Sequence, residues 1–129
     1  MSADRAPSTA ALIRKTLAHS RTPLGAYRIA ALLEQETGRR GYANSVYRAI
    51  VPLVDAGELI AVNLAKGWIL AENPGKPTVL LFCSDCNEII QVLKPEAFEA
   101  VRSICEHNRF TPTTLCIEMR GFCARCTNR

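Results

Sequence analysis

Six cysteines stand in this chain of 129 residues, and four of them form two Cys-x2-Cys pairs, Cys83/Cys86 and Cys123/Cys126, with 36 residues between the pairs. Each pair closes an apolar-rich run, so each can form a knuckle in which two thiolates converge and neighbouring amides stabilise the sulfur charge. Four thiolates around one divalent ion make the closed tetrahedral shell of structural zinc, with no position left for a substrate. One structural Zn2+ per protomer is the expected cofactor. Two disulfides, unconnected thiols and a rubredoxin-like iron centre are the competing readings; matching knuckles in a reducing compartment favour zinc. Cys105, on the apolar face of a predicted helix, reads as a buried free thiol. Cys116 lies on the strand face opposite Leu115 and Ile117, and a redox pair between it and Cys105 stays open. His19 and His107 fall at predicted helix ends and read as helix-end residues rather than ligands.

A second group of residues could bind phosphate. The net charge is +4, but residues 1–48 carry +5 and residues 49–129 carry −1. Phosphate neutralisation by Lys and Arg supplies most non-specific affinity for nucleic acid, so the basic first half suits that partner; a merely solvated helical face is the bland alternative. Within it Arg39, Arg40 and Tyr42 lead into a predicted helix holding Asn44, Ser45, Tyr47 and Arg48. On a helix in the major groove, Arg reaches guanine edges or phosphates and Tyr reaches phosphate or thymine methyl groups.

The elements that must position these residues follow from periodicity. Leu12, Ile13 and Leu17 define a helix over Thr9–Ala18 with Ser8 as its cap. Leu24, Ile29, Leu32 and Leu33 define a second helix over Leu24–Thr37, with Gly38 just past its end. Val46, Ile50, Leu53 and Val54 define a third over about 44–56, with Pro52 predicted to kink or break it. Glu58–Val62 and Trp68–Ala71 read as a hairpin with Lys66 at its tip, facing the DNA backbone. Three helices and a hairpin make a winged helix-turn-helix. The run ENPGKP at 72–77 reads as a linker. After it come strands over Thr78–Phe82 and Glu88–Val92, a helix over Pro95–His107 and a strand over Thr113–Arg120. The fold class is α+β: a winged-helix DNA-binding domain at 1–73 and a small zinc-stabilised α/β dimerisation domain at 74–129. The second unit is marginal alone, so a metal and a partner subunit are its expected supports.

The composition, 48% apolar and 22% charged, is that of a globular chain. No run approaches the roughly eighteen apolar residues of a membrane span, and the start has no signal-peptide core. A cytoplasmic protein with no membrane partner and no small organic cofactor is expected. An enzyme is the least supported class, since no nucleophile–base pair is present and the thiolate shell is closed.

These residues together resemble the ferric uptake regulator (Fur) family of bacterial transcription factors, and more closely its zinc uptake regulator (Zur) branch. The resemblance runs from about Leu12 to Cys126 through SRTPLGAYRIAALL, SVYRAI, LVDAGEL, FCSDCNEIIQV and GFCARC. It implies a homodimeric, metal-dependent repressor binding operators upstream of metal-uptake genes. Carried over by position, Tyr47 and Arg48 match the family's DNA-contacting pair, and Cys83, Cys86, Cys123 and Cys126 match its structural zinc ligands. The family's regulatory metal site uses histidines before the first Cys pair, a carboxylate five residues after it and, in the zinc branch, a cysteine ending the wing. Here those places hold no His or Cys, and Asn73, Thr78 and Gln91 are poor zinc ligands. The expectation is a regulator that keeps its DNA-binding and structural-zinc parts without the usual zinc switch. A paralogue that modulates a full regulator by heterodimerisation and a thiol-based redox regulator are the alternatives.

Overall fold

The computed structural model describes residues 7–127; residues 1–6, with Asp4 and Arg5 of the charge asymmetry, and 128–129 lie outside the described residues. Three helices come first: α1 (Thr9–Ala18), α2 (Ala26–Thr37) and α3 (Tyr42–Asp55). Ser8 caps α1 as expected, its hydroxyl accepting the Ala11 amide at 3.1 Å. The apolar stripes meet in one core in which Ile13, Ile29, Leu33 and Val46 are fully buried, each worth about 1.5–3 kcal/mol of burial.

Two helix starts differ from expectation for reasons that lie in tertiary contacts. Leu24 is not helical. It exchanges two backbone hydrogen bonds with Trp68, at 3.1 and 2.9 Å, and so forms an isolated antiparallel bridge to the wing. The third helix starts earlier than its apolar stripe, because the Glu34 carboxylate of α2 accepts the Gly41 amide at 2.9 Å and the Tyr42 amide at 3.5 Å. Pro52 does not break α3, which continues to Asp55. The proline removes one bond, to the Arg48 carbonyl, in the last turn on an exposed face where solvent can satisfy it.

The wing is the antiparallel pair β1 (Leu59–Val62) and β2 (Gly67–Leu70). Gly57 turns α3 into it at φ 77°, and a Cβ there would lie 2.7 Å from the Gly75 amide nitrogen. Close packing and a left-handed backbone therefore both demand glycine. Gly57→Ala is expected to cost about 1–2 kcal/mol, read as a lower melting temperature with unchanged metal content.

Residues 72–77 join the wing to the second half without regular structure. There β3 (Thr78–Cys83) pairs antiparallel with β4 (Ile89–Leu93) and parallel with β5 (Ile117–Gly121), giving the order β4-β3-β5. Helix α4 (Pro95–His107) makes the crossover, with Phe98 as its buried residue, and a single turn, α5 (Ala124–Thr127), ends the described chain. The last strand is shorter than its alternating pattern, which began at Thr113. Val79 lies opposite Ile117, so Leu115 would face Pro77, which has no amide to donate. The hairpin is shared by both halves: Leu59 belongs to the helical core, whereas Val62 and Ile69 pack with Leu80 in a second buried cluster. Among the described residues no helix is long and apolar enough to cross a membrane.

Candidate metal centre and nucleic-acid interface

Parallel pairing brings the two knuckles together. Cys83 ends β3 and lies opposite Gly121, which ends β5, and the Ser84 amide donates to the Gly121 carbonyl at 2.8 Å. Because both strands end on the same side of the sheet, Cys86 and Cys123 start from neighbouring points. The four Sγ atoms of Cys83, Cys86, Cys123 and Cys126 lie within 4.8 Å of one another. Cys86 and Cys123 sulfurs stand 3.8 Å apart, which matches the edge of about 3.8 Å that a tetrahedron with zinc–sulfur bonds of about 2.3 Å requires. All six cysteines are free thiols.

The electrostatics suit a cation. The amides of Cys86 and Cys123 point at the Cys83 sulfur from 3.5 and 3.4 Å, and these bonds hold its pKa down to about 6. The Cys126 amide likewise lowers the Cys123 pKa. Burial and the neighbouring sulfurs push Cys126 up. At Cys86 the Glu88 amide favours the thiolate, but desolvation and the adjacent thiols outweigh it, and the net shift is upward. Four like charges cannot gather without a partner, and a divalent ion removes that conflict. The cluster can hold one structural zinc ion. Arg125, between the second pair, donates to Glu88 at 2.6 Å and is held more firmly protonated by it. Glu88 also lies 3.8 Å from Arg21 in the loop after α1.

The expected DNA-facing residues occupy one side of α3 and the loop before it. Asn44, Ser45, Tyr47 and Arg48 are exposed, while Val46 and Ile50 of the same helix are buried. Arg39 and Arg40 are exposed in the turn ahead of the helix, and Lys66 is exposed at the hairpin tip. Tyr27, 78% exposed on α2 and followed by exposed Arg28, is a further projecting pair. Periodicity alone could have pointed to it, as a large aromatic off the apolar stripe.

The remaining chemistry-bearing residues lie elsewhere. Cys105 is half-buried rather than buried, and Cys116 is exposed. His19 and His107 turn their Nδ1 atoms to the carbonyls of Lys15 and Ser103, at 2.8 and 2.7 Å, as helix-end residues do. Asn73 is half-buried in the connecting segment, and the Thr78 hydroxyl donates to the Lys76 carbonyl at 3.0 Å. Gln91 spans the two halves: its side-chain nitrogen donates to the Leu70 carbonyl and its oxygen accepts the Glu72 amide, both at 2.9 Å.

Neither a family model nor a curated relative matches the sequence. Solved structures do match over nearly the whole chain. The holo form of XcZur is 19% identical, with a TM-score of 0.82, covering 93% of this chain and 84% of that one. A zinc uptake regulator complexed with zinc and DNA is 18% identical, with a TM-score of 0.82 over 92% and 81%. This chain shares their fold. The Helicobacter pylori ferric uptake regulator, described with three functional metal-binding sites, is 17% identical with a TM-score of 0.61 over 92% and 79%. The fold of this chain is thus that of these zinc and ferric uptake regulators.

Proposed function

We propose that this protein is a Zur-like, DNA-binding transcriptional regulator, a homodimer with one structural zinc per protomer, acting as a repressor of metal-uptake genes. The observation that carries this reading is the face of α3: Asn44, Ser45, Tyr47 and Arg48 project outward from a helix whose other side is locked in the three-helix core. The likeness to a zinc uptake regulator complexed with zinc and DNA supports a DNA-binding role. The division of labour is a DNA-reading unit over 1–73 and a dimerisation unit over 74–129, with the protein working in the cytoplasm.

In this reading the four-cysteine cluster is a clasp and not a sensor. It has no open coordination position, and among the described residues it is the one group of three or more His, Cys, Asp or Glu able to hold a metal. Gln91, where the resemblance leads one to expect a metal-binding carboxylate, is engaged with backbone groups on the other half. Operator binding should therefore not answer to zinc beyond the structural equivalent.

The test is selection from random duplexes with the purified protein, elemental analysis, and titration of the selected duplex with and without added zinc. One zinc per protomer, a palindromic site and an affinity changed less than about twofold by further zinc are expected. A metal-dependent shift beyond about tenfold, on the order of 1.4 kcal/mol, would show a switch that this reading lacks. Failure to enrich any duplex would remove the DNA-binding assignment itself.

A further inference from the structure

The two halves are joined by more than the 72–77 segment. At one end of the contact, Gln91 of β4 holds the Leu70 carbonyl and the Glu72 amide where the wing ends. At the other end, the Glu118 carboxylate of β5 accepts the Asn63 amide, the Leu64 amide and the Asn63 side-chain nitrogen at 2.9, 2.9 and 3.0 Å. Arg120, two residues on, donates to the Leu64 carbonyl at 3.1 Å. Between these two polar grips lies the buried cluster of Val62, Ile69 and Leu80, with Ile60, Ala65 and Ile89 packed around it.

Both grips are specific. Gln91 satisfies backbone groups where β2 ends and Glu118 those of the hairpin turn just after β1, and a slide of the wing by one residue would break both sets. A carboxylate accepting backbone amides also makes stronger bonds than a neutral acceptor. The donors and acceptors of both grips are supplied by the chain's own side chains and backbone, and the four-cysteine cluster lies outside both grips. We infer that Gln91 and Glu118 form a metal-independent latch that fixes the winged helix on the C-terminal sheet. They are positioning residues: they set where α3 stands relative to the C-terminal sheet. This deepens the proposed reading of a regulator without a second metal switch, because it supplies what holds the two halves together in place of a metal.

The latch is read by hydrogen exchange on the full-length protein carrying one zinc. The amides of Asn63, Leu64 and Glu72 should exchange at least tenfold more slowly than unstructured amides. Adding a second equivalent of zinc, manganese or ferrous ion should leave those rates unchanged. Gln91→Ala and Glu118→Ala should each restore fast exchange at their own end, tenfold or more, with zinc content unchanged. Glu118→Gln, which keeps one acceptor oxygen, should restore part of the protection at Asn63 and Leu64. Free exchange of these amides in the one-zinc protein, or protection that appears only with the second metal, would overturn the inference. The metal arm needs no variant, so a variant that fails to fold does not decide the matter. The readout uses no DNA: a chain that binds no duplex but keeps these amides protected retains the latch and loses the regulator reading.

Discussion

Cys83→Ser is expected to release the zinc and to unfold the C-terminal sheet while leaving the three-helix core folded. Cys83 is 3% exposed, ends the central strand β3, and accepts amides from both knuckles. A serine hydroxyl stays protonated at neutral pH and is a harder donor, so one of four ligands is lost at the point that joins the two pairs. Structural zinc contributes about 10–16 kcal/mol of apparent binding energy in small peptides, and the apolar core of this half is small. Its buried apolar residues are Val79, Leu80 and Phe98 besides Cys83, and β5 joins the sheet along one edge of β3. Zinc should fall below about a fifth of wild type, and the C-terminal half should melt at least 10 °C lower, as a loss of about 3–5 kcal/mol would give. Cys116→Ser, at an exposed thiol, should change stability by no more than about 0.5 kcal/mol. Elemental analysis beside thermal unfolding followed by circular dichroism reads both, and full zinc with an unshifted melt in Cys83→Ser would refute the clasp.

That clasp was legible because its chemistry is local. Two Cys-x2-Cys pairs, each after a strand, announce a four-thiolate shell, and if one ion takes all four, the two strands must end on the same side of the sheet. The parallel β3–β5 pairing found here satisfies that demand. The helices of the first half were legible for a related reason: Ile13, Ile29, Leu33, Val46 and Ile50 recur at helical spacing and all fall in one core.

What periodicity missed depends on residues distant in the chain. Nothing in the local pattern of Leu24 says that Trp68 will claim its backbone, because that pairing is decided by how the wing folds back against α1 and α3. Glu34 gave no sign that it caps the helix that follows rather than its own. The alternation from Thr113 promised a longer strand than its neighbour could pair, since a pattern read on one strand does not know where the partner's proline stands. Gln91 drew notice only as the wrong residue for a metal. Its role became visible once the ends of the wing lay within hydrogen-bond reach. Glu118, which grips the hairpin turn, had no marker at all: a charged residue on an edge strand reads as solvated until something packs against it.

The second large effect concerns α3. Arg48→Ala should weaken binding to the selected duplex by tenfold to a hundredfold, about 1–3 kcal/mol, with the melting temperature and zinc content of wild type. The separation is expected because Arg48 is exposed, whereas Val46 and Ile50 carry the helix's packing. Tyr47, 52% exposed beside it, is expected to supply a second contact, and Tyr47→Phe removes only the hydroxyl, so its smaller loss isolates the polar part of that contact. Salt separates the two uses of the arginine. A guanidinium on phosphate gives an affinity loss that is uniform across sequences and lowers the salt slope by about one. A guanidinium on a guanine edge gives a loss confined to duplexes carrying that base, with the slope preserved. Fluorescence anisotropy on the selected duplex and on one with a single altered base, at several salt concentrations, distinguishes them. Wild-type affinity in Arg48→Ala under all these conditions would move the reading surface off α3, and the exposed pair Tyr27 and Arg28 on α2 would be the next place to look.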